Sequence, residues 1–190
     1  MRLNLLADAV LLAAAMTFAG CNTAGQMAAL GVPADYARSP VLDSRAVWRT
    51  VVLPPSSGGS SEMEADFLCD YAGMALLRTG MFSLIDRSVV DQLLTEQEFS
   101  YSGVVDPSTA VELGRLLGAE AVMTIRIGSV THDGFWDDEP DQRDATVHVK
   151  IISVQTAEVL YTSTGRGSSF EGAESALEMA TEVSLIGLFR

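Results

Sequence analysis

The chain has 190 residues, of which 48 % are apolar, enough for one buried core plus extra segments. Its formal charge is −13 with a single lysine, Lys150, which excludes binding to nucleic acid or anionic headgroups by bulk charge. Residues 1–20 carry Arg2 and Asp8, which cancel, so residues 21–190 keep the same charge.

The amino-terminal stretch "MRLNLLADAVLLAAAMTFAGC" has Arg2 near its start, an apolar run from Ala9 to Ala19, and small residues before Cys21. This layout predicts a secretory signal peptide over 1–20, too short to span a bilayer as a permanent helix. "FAGC" resembles a bacterial lipobox, in which Cys21 becomes the acylated (palmitate-type) first residue. Phe18 stands where that pattern usually has Leu, and Asp8 dilutes the basic start; the alternative is a plain cleaved signal with an incidental Cys21. In enteric-type sorting only Asp after the cysteine favours the inner membrane. Asn22 therefore points to a lipid-anchored protein of the outer membrane, facing the periplasm. With Cys21 lipidated, Cys69 has no intrachain partner, and its place among Ala65, Leu68, Ala72 and Leu76 predicts a small buried hydrophobe. An intermolecular bridge is the other option. Residues 21–44 have small residues, two prolines and no period, which predicts a flexible tether of at most ~75 Å at roughly 3.3 Å per residue.

The domain is expected over 45–190. "AVWRTVVLP", Ala46–Pro54, predicts a buried strand, and "SSGGSSE" a solvated loop rather than a phosphate cradle, because no lysine lies near it. A helix follows over about 62–79, ended by Gly80, then a strand Met81–Ile85. A second helix starts at Asp86 or Ser88 and buries Val90, Leu93 and Leu94. A third runs from Pro107 to Gly118, with Asp106 placed to cap it and Gly114 on its inner stripe for close approach to a sheet. Strands follow over Ala121–Thr131, Ala145–Val154 and about Glu158–Arg166, the last two joined by Gln155–Ala157. A last helix covers about 170–188. The order β-α-β-α-α-β-β-β-α predicts an α/β (α+β) fold, a mixed sheet with helices packed on it.

No G-x-S-x-G, H-E-x-x-H, C-x-x-C, P-loop or dinucleotide fingerprint is present, so neither a catalytic residue nor a cofactor is expected. His132 and His148 flank the 131–144 loop, and with Asp133 form the one conceivable metal set; two exposed strand-end histidines are the commoner arrangement. Within that loop, Phe135 and Trp136 stand beside Asp137, Asp138, Glu139 and Asp141, without EF-hand spacing. Aromatics next to charge suit a contact with a partner protein, or else fold back onto the sheet. Glu171, Glu174, Glu178 and Glu182 recur at spacings of three and four, an acidic helix face that is either solvated or a docking surface. The Asp86–Arg87 step suggests a helix start: Asp86 can accept from free N–H groups, and Arg87 can pair with an acid on a neighbouring helix or subunit.

"RTVVLPP", "TGMFSLIDRSVVDQLLTEQEF", "AVELGRLLGAEAVMTIRIGSV" and "VHVKIISVQTAEVLYTSTGRG", in that order over about 46–166, resemble the CsgG-like family of outer-membrane lipoproteins. Where many relatives have T-G-E in the last turn, this chain has Thr156–Ala157–Glu158. The resemblance implies a periplasmic α/β domain that often assembles into rings, as in the curli secretion channel. That channel adds two hairpins per subunit for a membrane barrel, and each spanning strand needs ~9–11 residues. The connections 131–144 and 155–157 are too short to supply them unless the core strands themselves are lengthened, which points to the non-pore relatives, LpoB-like and PelC-like lipoproteins. The expectation is a non-catalytic scaffold subunit of an envelope secretion or transport machine, homo-oligomeric and with an envelope protein partner. The alternatives are an LpoB-like activator of a class A penicillin-binding protein, and a metal-binding or enzymatic periplasmic domain.

Overall fold

The structure, a computed structural model, describes residues 35–57, 62–96, 106–133 and 142–189. β-branched and apolar residues at period two build the sheet. Its strands are β1 (Asp35–Arg38), β2 (Trp48–Val52), β3 (Ser56–Ser57), β4 (Phe82–Leu84), β5 (Ala121–Asp133), β6 (Gln142–Ser153) and β7 (Val159–Ser169). The helices are α1 (Glu62–Arg78), α2 (Arg87–Glu96), α3 (Pro107–Leu116) and α4 (Ala173–Leu185), with 3-10 turns at Pro40–Ser44 and Ile186–Leu188. Strand order is β1-β7-β6-β5-β2-β4, with β3 beside β5. β2 is parallel to β4 and β5, while β5, β6, β7 and β1 run antiparallel to one another. The sheet is therefore mixed, as expected, and the fold is α/β.

Each strand's alternation feeds two separate cores. Met123, Ile125 and Ile127 of β5 join Val147, Val149 and Ile151 of β6 beneath α1 and α4, whose Leu68, Leu76 and Leu177 are fully buried. On the opposite face, Val122 and Val51 of β2 share a cluster with Val90 and Leu94 of α2 and Ala110 and Leu113 of α3. At Gly114 an added Cβ would lie 2.4 Å from Val122 and 2.7 Å from Val154, so α3 approaches the sheet as closely as its inner-stripe glycine allows. Gly80 and Gly118 both adopt positive φ, +71° and +66°, and end α1 and α3 where a side chain would be strained.

Several boundaries differ from expectation. The segment 35–44, expected within the tether, belongs to the folded domain. β1 pairs with β7, Leu42 is fully buried, and the Trp48 indole N–H donates to the Leu42 carbonyl at 2.9 Å. Tyr36 stacks on Tyr161 with ring centroids 6.0 Å apart and lies against Gly187, whose missing Cβ would sit 2.5 Å from its ring. Ser56–Ser57, expected as loop, pairs with Arg126–Ile127. The observed order is thus β-β-β-α-β-α-α-β-β-β-α. Asp106 does stand at the N-cap of α3, yet its carboxylate accepts from the Ser108 hydroxyl instead of a helix N–H.

Candidate functional site

The Asp86–Arg87 step has its chemistry fully spent on structure. Asp86 accepts the Ser88 N–H at 2.9 Å and the Ser88 hydroxyl, and these hydrogen bonds hold its carboxyl below the usual value. Arg87 ion-pairs with Asp66, reaches Asp70 at 3.8 Å and Asp91 at 3.5 Å, and donates to the Asp66 carbonyl at 3.2 Å. Of the two places left open for such an acid, a neighbouring helix or a neighbouring subunit, the structure shows the first: Asp66 and Asp70 lie on α1. Cys69 is buried beneath this network, and burial pushes its thiol up to about 12. A neutral thiol of that kind is neither nucleophile nor accessible bridge partner.

A cleft of about 540 Å³ opens at the amino ends of β2 and β5, lined by Val41, Arg45, Trp48, Arg115, Glu120 and Gln155. Arg45 lies over the Trp48 ring, 4.8 Å from its centroid, and ion-pairs with Glu120, which also accepts the Arg49 N–H at 3.1 Å. These contacts stitch the chain before β2 to the start of β5. They bring no nucleophile next to a base.

The sequence-derived metal set does not converge. The β5–β6 ladder pairs His132 with Arg143 but His148 with Arg126, six positions along β5. At about 3.3 Å per residue that is ~20 Å of backbone separation, far beyond shared coordination. The cause is the length of the hairpin: β6 starts at Gln142 rather than Ala145, which carries His148 well away from the loop. No group of three or more potential metal ligands occurs among the described residues. His148 instead places Nδ1 2.9 Å from Thr164 Oγ1 and lays its ring over Gly128, whose added Cβ would be 2.9 Å from Nε2. Partial burial and the neighbouring Arg126, Arg166 and Lys150 push its pKa down.

Phe135, Trp136, Asp137, Asp138, Glu139 and Asp141 lie outside the described residues. Of the acidic face, Glu171 precedes α4 and is exposed, as is Glu174; Glu178 and Glu182 are half-buried against α1. There the Tyr71 hydroxyl donates to Glu178, and burial together with the charges of Glu182 and Glu178 raises Tyr71 to about 12.

One feature escaped the sequence pattern. α2 and α3 cover only the Val122 end of their sheet face; farther along, Thr124, Arg126, His148, Lys150, Thr164 and Arg166 share an open face across β5, β6 and β7. Arg126, Lys150 and Arg166 are exposed, three of the chain's 12 Lys and Arg residues. The alternation of each strand was visible; the register that aligns the three cations was not.

Fold and surface together define an α/β domain with charged faces and, among the described residues, no assembled catalytic group. The family model for the curli production assembly/transport component CsgG matches residues 44–188, and the chain belongs to that family. A sequence search of curated proteins returns no match. Among solved structures it is similar to the PelC dodecamer from Paraburkholderia phytofirmans, at 13 % identity and TM-score 0.58, covering 83 % of this chain and 98 % of that one. It is also similar to lipoprotein GNA1162 from Neisseria meningitidis, at 13 % identity and TM-score 0.52, covering 64 % and 83 %. At these identities the likeness shows the fold.

Proposed function

We propose that this chain is a non-catalytic scaffold subunit of a cell-envelope secretion or transport machine, anchored to the outer membrane through Cys21 and assembled into a ring. Membership of the CsgG family over 44–188 carries the reading. The PelC relative forms a dodecamer, which supports closed self-assembly for a domain of this shape. No helix among the described residues is long and apolar enough to cross a membrane. Among the described residues, one sheet face lies under α1 and α4, and the other bears Arg126, Lys150 and Arg166 where a lipid-facing strand needs an apolar band, which supports a scaffold over a barrel subunit.

The full-length protein in mild detergent is expected to scatter light as one discrete oligomer. A strict monomer at high concentration would overturn the ring. Cys21→Ser is expected to release the protein from the membrane fraction and abolish its acyl mass; unchanged anchoring would overturn lipidation at that residue.

A further inference from the structure

β7 separates two surfaces of opposite charge. On one side Gly165 and Gly167 admit α4 into backbone contact: an added Cβ would lie 1.8 Å from the Ala180 carbonyl oxygen and 2.3 Å from that of Ala176. The outer surface of α4 and the turn before it then present Glu171 and Glu174, both exposed, with Glu178 and Glu182 behind them. On the other side the residues between those glycines point the opposite way, as strand alternation requires, so Thr164 and Arg166 face outward. Cross-strand pairing sets Thr164 beside His148, His148 beside Arg126, and Lys150 between Thr124 and Thr162. The surface is threonine-rich and cationic, and among the described residues the acids Asp144 and Asp35 stand at its margins. In a chain of net charge −13, this is an unusual place to collect the only lysine and two arginines.

We infer that this cationic sheet face is the docking surface for a second copy of the chain, receiving the acidic α4 surface of the next subunit. The complementary charge is present on the same molecule, one helix and one sheet away, so every subunit has a positive front and a negative back. Two unlike patches on opposite sides make a heterologous, front-to-back contact, which propagates and closes into a ring when the rotation allows. This deepens the ring proposed above and rests on it. Opposed charges also set register and suppress front-to-front pairing, where cations would meet cations.

The test uses the full-length lipoprotein in detergent and two charge reversals at exposed positions, K150E/R166E on the sheet face and E171K/E174K at α4. Sedimentation should show the wild type assembled and each variant alone as a monomer. Their equimolar mixture should regain the assembled mass, because the reversed sheet of one then meets the reversed helix of the other. Raising salt from about 0.1 to 0.5 M should weaken the wild-type assembly, since screening shortens the Debye length below ~10 Å. Either variant assembling alone like the wild type would overturn the interface. So would a mixture that stays monomeric while both variants keep their circular dichroism and melting midpoint; that result would direct the cationic face to a different anionic partner. If a reversal disrupts folding, K150Q/R166Q and E171Q/E174Q serve in its place, each expected to weaken assembly about tenfold, with unchanged assembly overturning the contact. A monomeric wild type would remove the ring itself, an outcome separate from failure of this face alone.

Discussion

At the scale of single residues, the tightest constraint is the glycine pair in β7. An added Cβ at Gly165 would fall 1.8 Å from the Ala180 carbonyl oxygen, a backbone atom that cannot rotate away. Gly165→Ala is therefore expected to cost at least ~3 kcal/mol, the upper range for overpacking, read as a lower midpoint in denaturant unfolding. A hint stood in the sequence: glycines two apart share one strand face, and Ala176, Ala180 and Ser184 recur every fourth residue opposite them. What was missing was any sign that these two segments meet. Asp86 was more legible. Its acceptor role at the start of α2 follows from residue type and position, although its partners are the N–H and hydroxyl of one residue, Ser88. Because its folded-state carboxyl titrates below the unfolded value, its contribution is present above about pH 4. It is lost as pH falls through the folded pKa. Asp86→Ala should lower the melting midpoint at neutral pH and shrink the acid-side decline. His148 works in the same direction at milder pH: its lowered pKa favours the neutral ring, so stability falls as pH drops below about 6.5. His148→Gln should flatten thermal stability between pH 7 and 5, and an unchanged slope would show that this ring, with its burial and its neighbours Arg126, Arg166 and Lys150, is not the source of the decline.

At the scale of elements, the strands and helices with strong period were readable and the short ones were not. β5 and β6 alternate over many residues, and α3 carries its own stop and start signals in Asp106, Pro107 and Gly118. β1 has four residues and no pattern of its own; it exists because of partners far away in sequence. Arg38 donates to the Gly187 carbonyl at 3.3 Å, and the Ser39 N–H donates to the Leu160 carbonyl at 2.8 Å. Such contacts cannot be inferred locally. A chain shortened to begin at Ser44 should consequently melt lower than one that keeps residues 35–43, since it exposes Tyr161 and the edge of β7. Leu42→Ala should destabilise by ~2–5 kcal/mol, as for other fully buried leucines, because the side chain fills a space beside Trp48. Equal midpoints for the shortened and full chains would show that β1 adds nothing to the domain.

For the molecule as a whole, family membership was legible because the motifs that mark it are packing devices. The strand end before Asp86 leads into α2 through the Asp86–Ser88 hydrogen bonds, and the glycine of the third helix lets it close on Val122 and Val154. The proposed docking face is written elsewhere, in surface charges whose grouping depends on which strands lie side by side. Arg126, Lys150 and Arg166 are spread along the chain and become one face only through two antiparallel registers. The acidic residues of α4 were visible as a stripe, but the structure divides them: Glu178 is engaged by Tyr71, and Glu171 and Glu174 remain at the surface.

The position of β1 also determines how the domain would bear mechanical load. A pull arriving from the amino-terminal side enters at Asp35, on the outermost strand of the sheet. It acts first on the Asp35–Thr164 rung and then on each rung in turn to Arg38–Tyr161, an unzipping that ruptures bonds singly rather than together. Beyond it the force meets Leu42, sunk in the core and held through its carbonyl by Trp48. β1 thus behaves as a yielding first catch and Leu42 as the firm one, so tension from the amino-terminal side peels an edge before it disturbs the sheet.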